Sequence, residues 1–400
     1  MKTLKTTMFV TACMAMMCAC TDQSTLDENQ GSNESNELVE LKINPSIALT
    51  RAAVTSENGS DLGSIAVYSS GTSNNYAIYE YSDGSSSWGA KGEDKKIYLS
   101  KEAVTIFAYY PAYSDAEEST ALEINTTDPA TAPGTSSTIN VSLNEGDEDE
   151  GKDGNQIYVA SATVESSVND LSSNNTINTA SADVDYMYAV DGSNSSEQPV
   201  NAGVENESQP TASSASGSSS VSLKMKHAMA SVSFKVKIEK YDKAGKLTKI
   251  VLKNTSDNTT LNKGTSTATM NISSGAITIT GSSAATFTRF IYTGTPSAVG
   301  FNSYSNESST AGYALKAGTA SPAFSILTYP NDTADKSTVE VAVTIDGQTY
   351  SKALPNSNQA WTAGKNHVYT LTLTGGDLSI SEVKIAPWED TTMSGDITLQ

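Results

Sequence analysis

Cysteine is nearly absent from this chain. Of 400 residues only Cys13, Cys18 and Cys20 are cysteine, all at the start. Beyond them nothing is left for a disulfide, a cysteine metal site or a thiol nucleophile. Arginine is scarcer still: Arg51 and Arg289 are the only two. The two histidines, His227 and His367, lack His-x-x-x-His spacing and cysteine neighbours, so no zinc site is expected and structural packing or surface exposure accounts for both. No Gly-x-Ser-x-Gly turn leads into a helix, and the phosphate-loop and dinucleotide signatures are missing. The sequence therefore predicts no enzyme, no catalytic residue, no metal and no cofactor. Charge of one sign is short as well: 25 Lys+Arg stand against 45 Asp+Glu, a net −20. Such a surface repels nucleic acid, whose phosphates need Lys and Arg. No window keeps a helical period, and no apolar run reaches the roughly 20 residues that cross a bilayer as a helix.

The three cysteines sit in an N-terminal address. Lys2 and Lys5 precede an apolar stretch over residues 6–17, the length of a signal-peptide core. It ends Met17-Cys18-Ala19-Cys20 before the polar Thr21-Asp22-Gln23, which resembles a bacterial lipobox. Residues 1–19 then read as a lipoprotein signal peptide and Cys20 as the lipidated mature N-terminus. Several acyl chains on one cysteine anchor firmly, whereas a single chain is marginal. Ordinary secretion with cleavage nearby is the alternative.

Residues 21–36 are polar and acidic, with no apolar period, and read as a tether. Val39, Leu41 and Ile43 then alternate with Glu40 and Lys42, a strand pattern that Ile47 and Leu49 continue past Pro45. Arg51 and Ala52 follow at once. From Ile65 onward short runs rich in Tyr, Val, Ile and Thr recur between turn signals. Examples are Ile65-Ala66-Val67-Tyr68, Val104-Thr105-Ile106-Phe107-Ala108-Tyr109-Tyr110 and, in a clean period of two, Val232-Ser233-Phe234-Lys235-Val236-Lys237-Ile238. Strands so spaced predict an all-β protein of antiparallel sandwiches. Residues 191–220 are Ser/Asn/Gly-rich and read as a linker or surface insertion. This places a border near residue 215: a propeptide at 20–51 with a candidate first strand, an N-terminal β-sandwich domain at 52–215, and a C-terminal one at 216–400.

Several pieces together carry a family resemblance. They are Lys226-His227-Ala228-Met229-Ala230-Ser231-Val232, Trp361-Thr362-Ala363-Gly364-Lys365-Asn366-His367, and Val383-Lys384-Ile385-Ala386-Pro387-Trp388. Phe107-Ala108-Tyr109-Tyr110-Pro111 and Asp185-Tyr186-Met187-Tyr188-Ala189 add to them. With the lipobox, their order over residues 40–390 resembles the fimbrillin-like family of pilus proteins of anaerobic Gram-negative bacteria. The resemblance implies two tandem β-sandwich domains of transthyretin-like topology. It implies an outer-membrane lipoprotein precursor that an Arg-specific protease matures for the cell surface or fimbrium. The first strand is then lost, and a neighbouring pilus subunit fills the vacated groove by strand exchange.

The residues fit that scheme. Arg51 follows the candidate first strand directly, so cleavage between Arg51 and Ala52 would detach both lipid and strand. Arg289 lies in Thr286-Phe287-Thr288-Arg289-Phe290-Ile291, a predicted strand that folding would shield. An opened sheet edge offers unpaired N–H and C=O groups to an incoming strand. Residues 378–385 or 396–399 could be that donor strand. The rival is a lipid-anchored surface protein that binds glycan or a host ligand and never polymerises. Trp88, Trp361 and Trp388 could stack on sugars, but core anchoring is the plainer role. The acidic run 147–153 lacks the spacing of a calcium loop.

Overall fold

Alternation becomes strand throughout the computed structural model. It describes residues 39–47, 59–70, 75–99, 104–114, 118–125, 136–147, 155–159, 179–180, 182–191, 220–255, 258–293, 297–299, 303–305, 310–332, 336–356 and 360–387. Among these the fold is all-β, with two short 3-10 turns, Ser60–Leu62 and Glu93–Lys95. The border expected near residue 215 lies outside the described residues, as does nearly all of 191–220.

A seven-stranded sheet runs, neighbour to neighbour, Lys42–Ile47, Ser220–His227, Met187–Asp191, Ile106–Tyr110, Ser64–Ser69, Tyr76–Ser82 and Ser87–Ala90. One face gathers Ile65, Val67, Tyr79, Ile106, Ala108, Met187, Val221, Leu223 and Met225 around a core of its own, joined by Leu41, Ile43 and Ile47. The other face packs Ala66, Phe107 and Tyr109 against Ile139, Met270 and Ile272. Ile139 and Met270 belong to a small sheet of Ile277–Thr278, Ala268–Asn271, Thr138–Val141 and Ile124–Asn125, and Ile272 to the turn that follows Asn271. Both faces being covered, every residue of Ser64–Ser69 is buried, and such a strand reads as a continuous run instead of an alternation.

A sandwich follows. One layer is Gln156–Val159, Thr286–Thr293, Lys246–Asn254, Val339–Ile345 and Gln348–Ala353. The other is Phe324–Thr328, Ala230–Glu239, Lys365–Thr374 and Asp377–Pro387. Between them Phe234, Val236, Leu252, Phe287, Val341 and Leu371 fill the core. Ala230–Glu239 alternates in sequence, but its burial alternates only from Phe234 onward; Ala230 to Phe234 are buried on both faces.

Most pairings are antiparallel, as the short connections predict. Among the described strands three are parallel: Lys42–Ile47 with Ser220–His227, Gln156–Val159 with Thr286–Thr293, and Ala230–Glu239 with Lys365–Thr374. Each joins stretches far apart in the chain, since parallel neighbours cannot share a hairpin.

Candidate functional site

The strand ahead of Arg51 holds one edge of the seven-stranded sheet. Ile43, Pro45 and Ile47 point inward and are buried, while Lys42 and Asn44 face out. Leu41, Ile43 and Ile47 are 1%, 4% and 5% exposed. Burying an aliphatic side chain of this size stabilises by about 1.5–3 kcal/mol, so the strand is a working part of the core. Its partners are fixed: Ile43 lies beside Val221, Pro45 beside Leu223 and Ile47 beside Met225. Ser46 Oγ donates to the Leu223 carbonyl at 3.2 Å. Pro45 has no N–H and removes one ladder donor, which sheets tolerate at their edges. A parallel ladder is also slightly weaker per residue than an antiparallel one. The strand is thus held more by its side chains than by its backbone.

Its N-terminal end has further anchors. The Leu41 N–H donates to the Ile97 carbonyl at 2.8 Å, and Val39–Glu40 pairs with Tyr98–Leu99. Tyr79 Oη donates to the Leu41 carbonyl at 2.9 Å; burial raises the phenol's pKa above its ordinary value, so it stays a donor. Glu40 meets Lys96 at 3.2 Å. Gly59 abuts the strand at Pro45, with φ +68°, and a Cβ there would lie 3.0 Å from the Pro45 carbonyl oxygen. Only glycine sits there without strain. On its free side the strand faces Ser87–Ala90, the opposite edge of the same sheet, across a cleft of about 680 Å³ lined by Tyr81, Trp88, Asn44 and Ser222 among others.

Cys20, Arg51 and Ala52 lie outside the described residues; Ile47, four positions before Arg51, is the nearest described residue on that side. Arg289 is in strand Thr286–Thr293, as predicted, and is 0% exposed. Its Nη2 donates to Asp183 Oδ1 at 2.6 Å and to the Asn144 carbonyl at 2.7 Å, and its Nη1 to the Glu145 carbonyl at 3.1 Å. Burial raises the Asp183 pKa, while Arg289 and the Asn144 amide pull it back down. A guanidinium so enclosed is out of reach of a protease while the chain is folded.

Both histidines and Trp361 sit in buried, packed positions. His227 Nδ1 lies 2.6 Å from Asp185 Oδ2. His367 is buried beside Lys336 and Lys365; burial first, then those cations, lower its pKa to about 4. Trp361 is 0% exposed and donates to Tyr369 Oη at 3.0 Å. Trp88 is half-buried against Tyr81; Trp388 lies outside the described residues. Of the acidic run 147–153 only Asp147 is described, and no cluster of metal-binding side chains occurs among the described residues.

Of the two donor candidates, residues 378–385 sit in strand Asp377–Pro387, paired with Lys365–Thr374 in their own sheet. Residues 396–399 lie outside the described residues. The sequence did not reveal that Ser220–His227 is the strand beside the edge. Alternation marks a buried face and carries no information about the neighbour.

Against known proteins, a model of the fimbrillin-like family matches residues 50–388. No curated protein matches the chain. Among solved structures, a candidate cell adhesion protein from Bacteroides uniformis is similar at 13% identity and TM-score 0.48, over 88% of this chain and 99% of that one. A fimbrial protein from Bacteroides vulgatus is similar at 12% identity and TM-score 0.41, over 87% and 99%. A fimbrial assembly protein from Parabacteroides distasonis is similar at 11% identity and TM-score 0.37, over 90% and 100%. On the strength of a match over most of its length, this chain belongs to the fimbrillin-like family.

Proposed function

We propose that the protein is a cell-surface pilus subunit that assembles by strand exchange. It is exported under the signal peptide 1–19, lipidated at Cys20 and carried to the outer membrane. An Arg-specific protease then cuts between Arg51 and Ala52. The cut separates strand Lys42–Ile47 from the body of the chain, and a strand from a neighbouring subunit replaces it. The single observation that carries this reading is the place of Lys42–Ile47. It is an edge strand, it supplies core side chains, and an arginine follows four positions after its last residue. Its loss uncovers both the backbone edge of Ser220–His227 and the pockets of Ile43 and Ile47, a site that a strand of alternating apolar residues fits. With Arg289 enclosed, Arg51 is the other arginine of the sequence, and the proposed cut falls there.

The test is a gel. The protein without its signal peptide is treated with an Arg-specific protease and run unheated beside an Arg51→Ala control. A product beginning at Ala52 that climbs into a ladder, absent from the control, is the expected result. Trimming without a ladder would mark a terminal subunit. Resistance at Arg51 would overturn the activation step and favour a lipid-anchored binding protein that never polymerises.

A further inference from the structure

A second cleft lies away from the edge strand, where the small sheet meets the sandwich. Its volume is about 250 Å³. Leu261, Phe287, Tyr329 and Trp361 line it and are buried; Thr259 and Asp332 line it and are exposed. It therefore has an apolar, largely aromatic floor and a polar mouth.

The walls are pinned by asparagine side chains. Residues 258–264 form no strand, yet each turn of that stretch is tied down. Asn254 Oδ1 accepts from the Leu261 N–H at 2.7 Å, and its Nδ2 donates to the Leu261 carbonyl at 2.9 Å. Asn258 Oδ1 accepts from the Thr260 N–H at 3.0 Å. Asn262 Oδ1 accepts from the N–H groups of Gly264 and Ser283, both at 2.9 Å. On the other wall Asn331 and Trp361 exchange backbone hydrogen bonds at 2.7 and 2.9 Å. The Asn331 side chain then joins the walls by donating to the Thr260 carbonyl. A cleft formed in advance spares a ligand the cost of ordering it.

The mouth selects the ligand. Among the described residues, the Thr259 hydroxyl and the Asp332 carboxylate make no side-chain hydrogen bond or ion pair. The carboxylate accepts hydrogen bonds, and the hydroxyl both donates and accepts. No lysine or arginine is among the lining residues, and the chain carries a net −20, so an anion is repelled. A cation gains little from one exposed carboxylate. A wholly apolar ligand would cover that carboxylate without pairing it. A sugar ring meets both demands, with C–H groups for the floor and neighbouring hydroxyls for the mouth. The volume falls below the roughly 300–1,000 Å³ that take a drug-sized ligand, so one ring fits and the rest of a glycan extends into solvent.

We propose that this cleft binds a terminal neutral pyranose of a glycan, with Asp332 and Thr259 bonding its hydroxyls and its C–H face against the floor. The lining residues run from Leu143 to Trp361. The site is thus common to the uncut and the trimmed chain, and it stands whether or not strands are exchanged.

The probes are the methyl pyranosides of glucose, galactose, mannose and N-acetylglucosamine. Their binding is followed by saturation-transfer NMR to the chain without its signal peptide, uncut and trimmed at Arg51. The expected result is saturable, millimolar binding of at least one of them, with the same affinity in both forms. Asp332→Ala should weaken it about tenfold and Thr259→Val about fivefold. Both side chains are exposed, so both variants should keep the unfolding midpoint of the parent. Trp88→Ala, in the cleft beside Lys42–Ile47, should leave binding unchanged. No saturation by any of these sugars up to about 50 mM would overturn the proposal. So would binding that survives Asp332→Ala and Thr259→Val together. Binding lost on trimming would move the sugar to the cleft beside Lys42–Ile47 and overturn this site. Glucuronate bound as tightly as the glucoside would overturn the neutral class.

Discussion

Two buried groups set the behaviour of single residues. Arg289 and Asp183 are enclosed together, so removing one leaves the other charged and unpaired at a cost of about 3–5 kcal/mol. Arg289→Met should therefore lower the denaturant midpoint sharply, and adding Asp183→Leu should restore much of the loss, because an apolar pair of similar volume replaces the ion pair. An additive double variant in the same unfolding series would contradict this. His367 gives a pH dependence. Its pKa is about 4 folded against about 6.5 unfolded, so between these values the unfolded chain binds the extra proton. Stability then rises with pH across that window and is lost as pH falls from about 6.5 to 4, by at most about 3 kcal/mol. His367→Gln should flatten that part of the curve in denaturation measured from pH 4 to 7. The sequence left packing and surface exposure open for both histidines; both are buried. Their partners were not legible, since Asp185 and Lys336 reach them only through the fold.

At the scale of the element, the edge strand makes the sharpest prediction. Ile43→Ala should destabilise the uncut protein by about 2–5 kcal/mol. It should leave the product beginning at Ala52 unchanged, because the residue is gone. Equal loss in both forms, measured by denaturant unfolding before and after trimming, would contradict the assignment of the strand. Most strands were legible where one face is buried and the other wet. Ser220–His227 shows that alternation along its length, and Ala230–Glu239 shows it in its second half. Two kinds of strand were missed. Phe324–Thr328 is buried throughout, including Ser325 and Thr328, so no period marks it. Gln348–Ala353 is polar and mostly exposed, an edge held by its hairpin to Val339–Ile345. Direction was illegible too: an alternating strand looks the same beside a parallel or an antiparallel neighbour, and three pairings among the described strands are parallel.

In the whole molecule, the stretches on either side of residues 192–219 are interlaced. Gln156–Val159 joins the sheet of Thr286–Thr293, Thr138–Val141 pairs with Ala268–Asn271, and Ser220–His227 completes the sheet that begins at Lys42. Leu143 packs against two of the three cores. Heating should accordingly give one cooperative transition, with cleavage at Arg289 appearing only as that transition begins; two separate calorimetric peaks would contradict the interlacing. The central claim is that Lys42–Ile47 guards an edge meant for another strand. Amide hydrogen exchange along Ser220–His227 tests it most directly, in the uncut protein, in the trimmed monomer and in the assembled ladder. The account predicts slow exchange in the uncut protein, at least tenfold faster exchange at alternate amides after trimming, and slow exchange again in the ladder. Exchange that stays slow on trimming would contradict it, because the edge would then owe its protection to something other than the strand before Arg51.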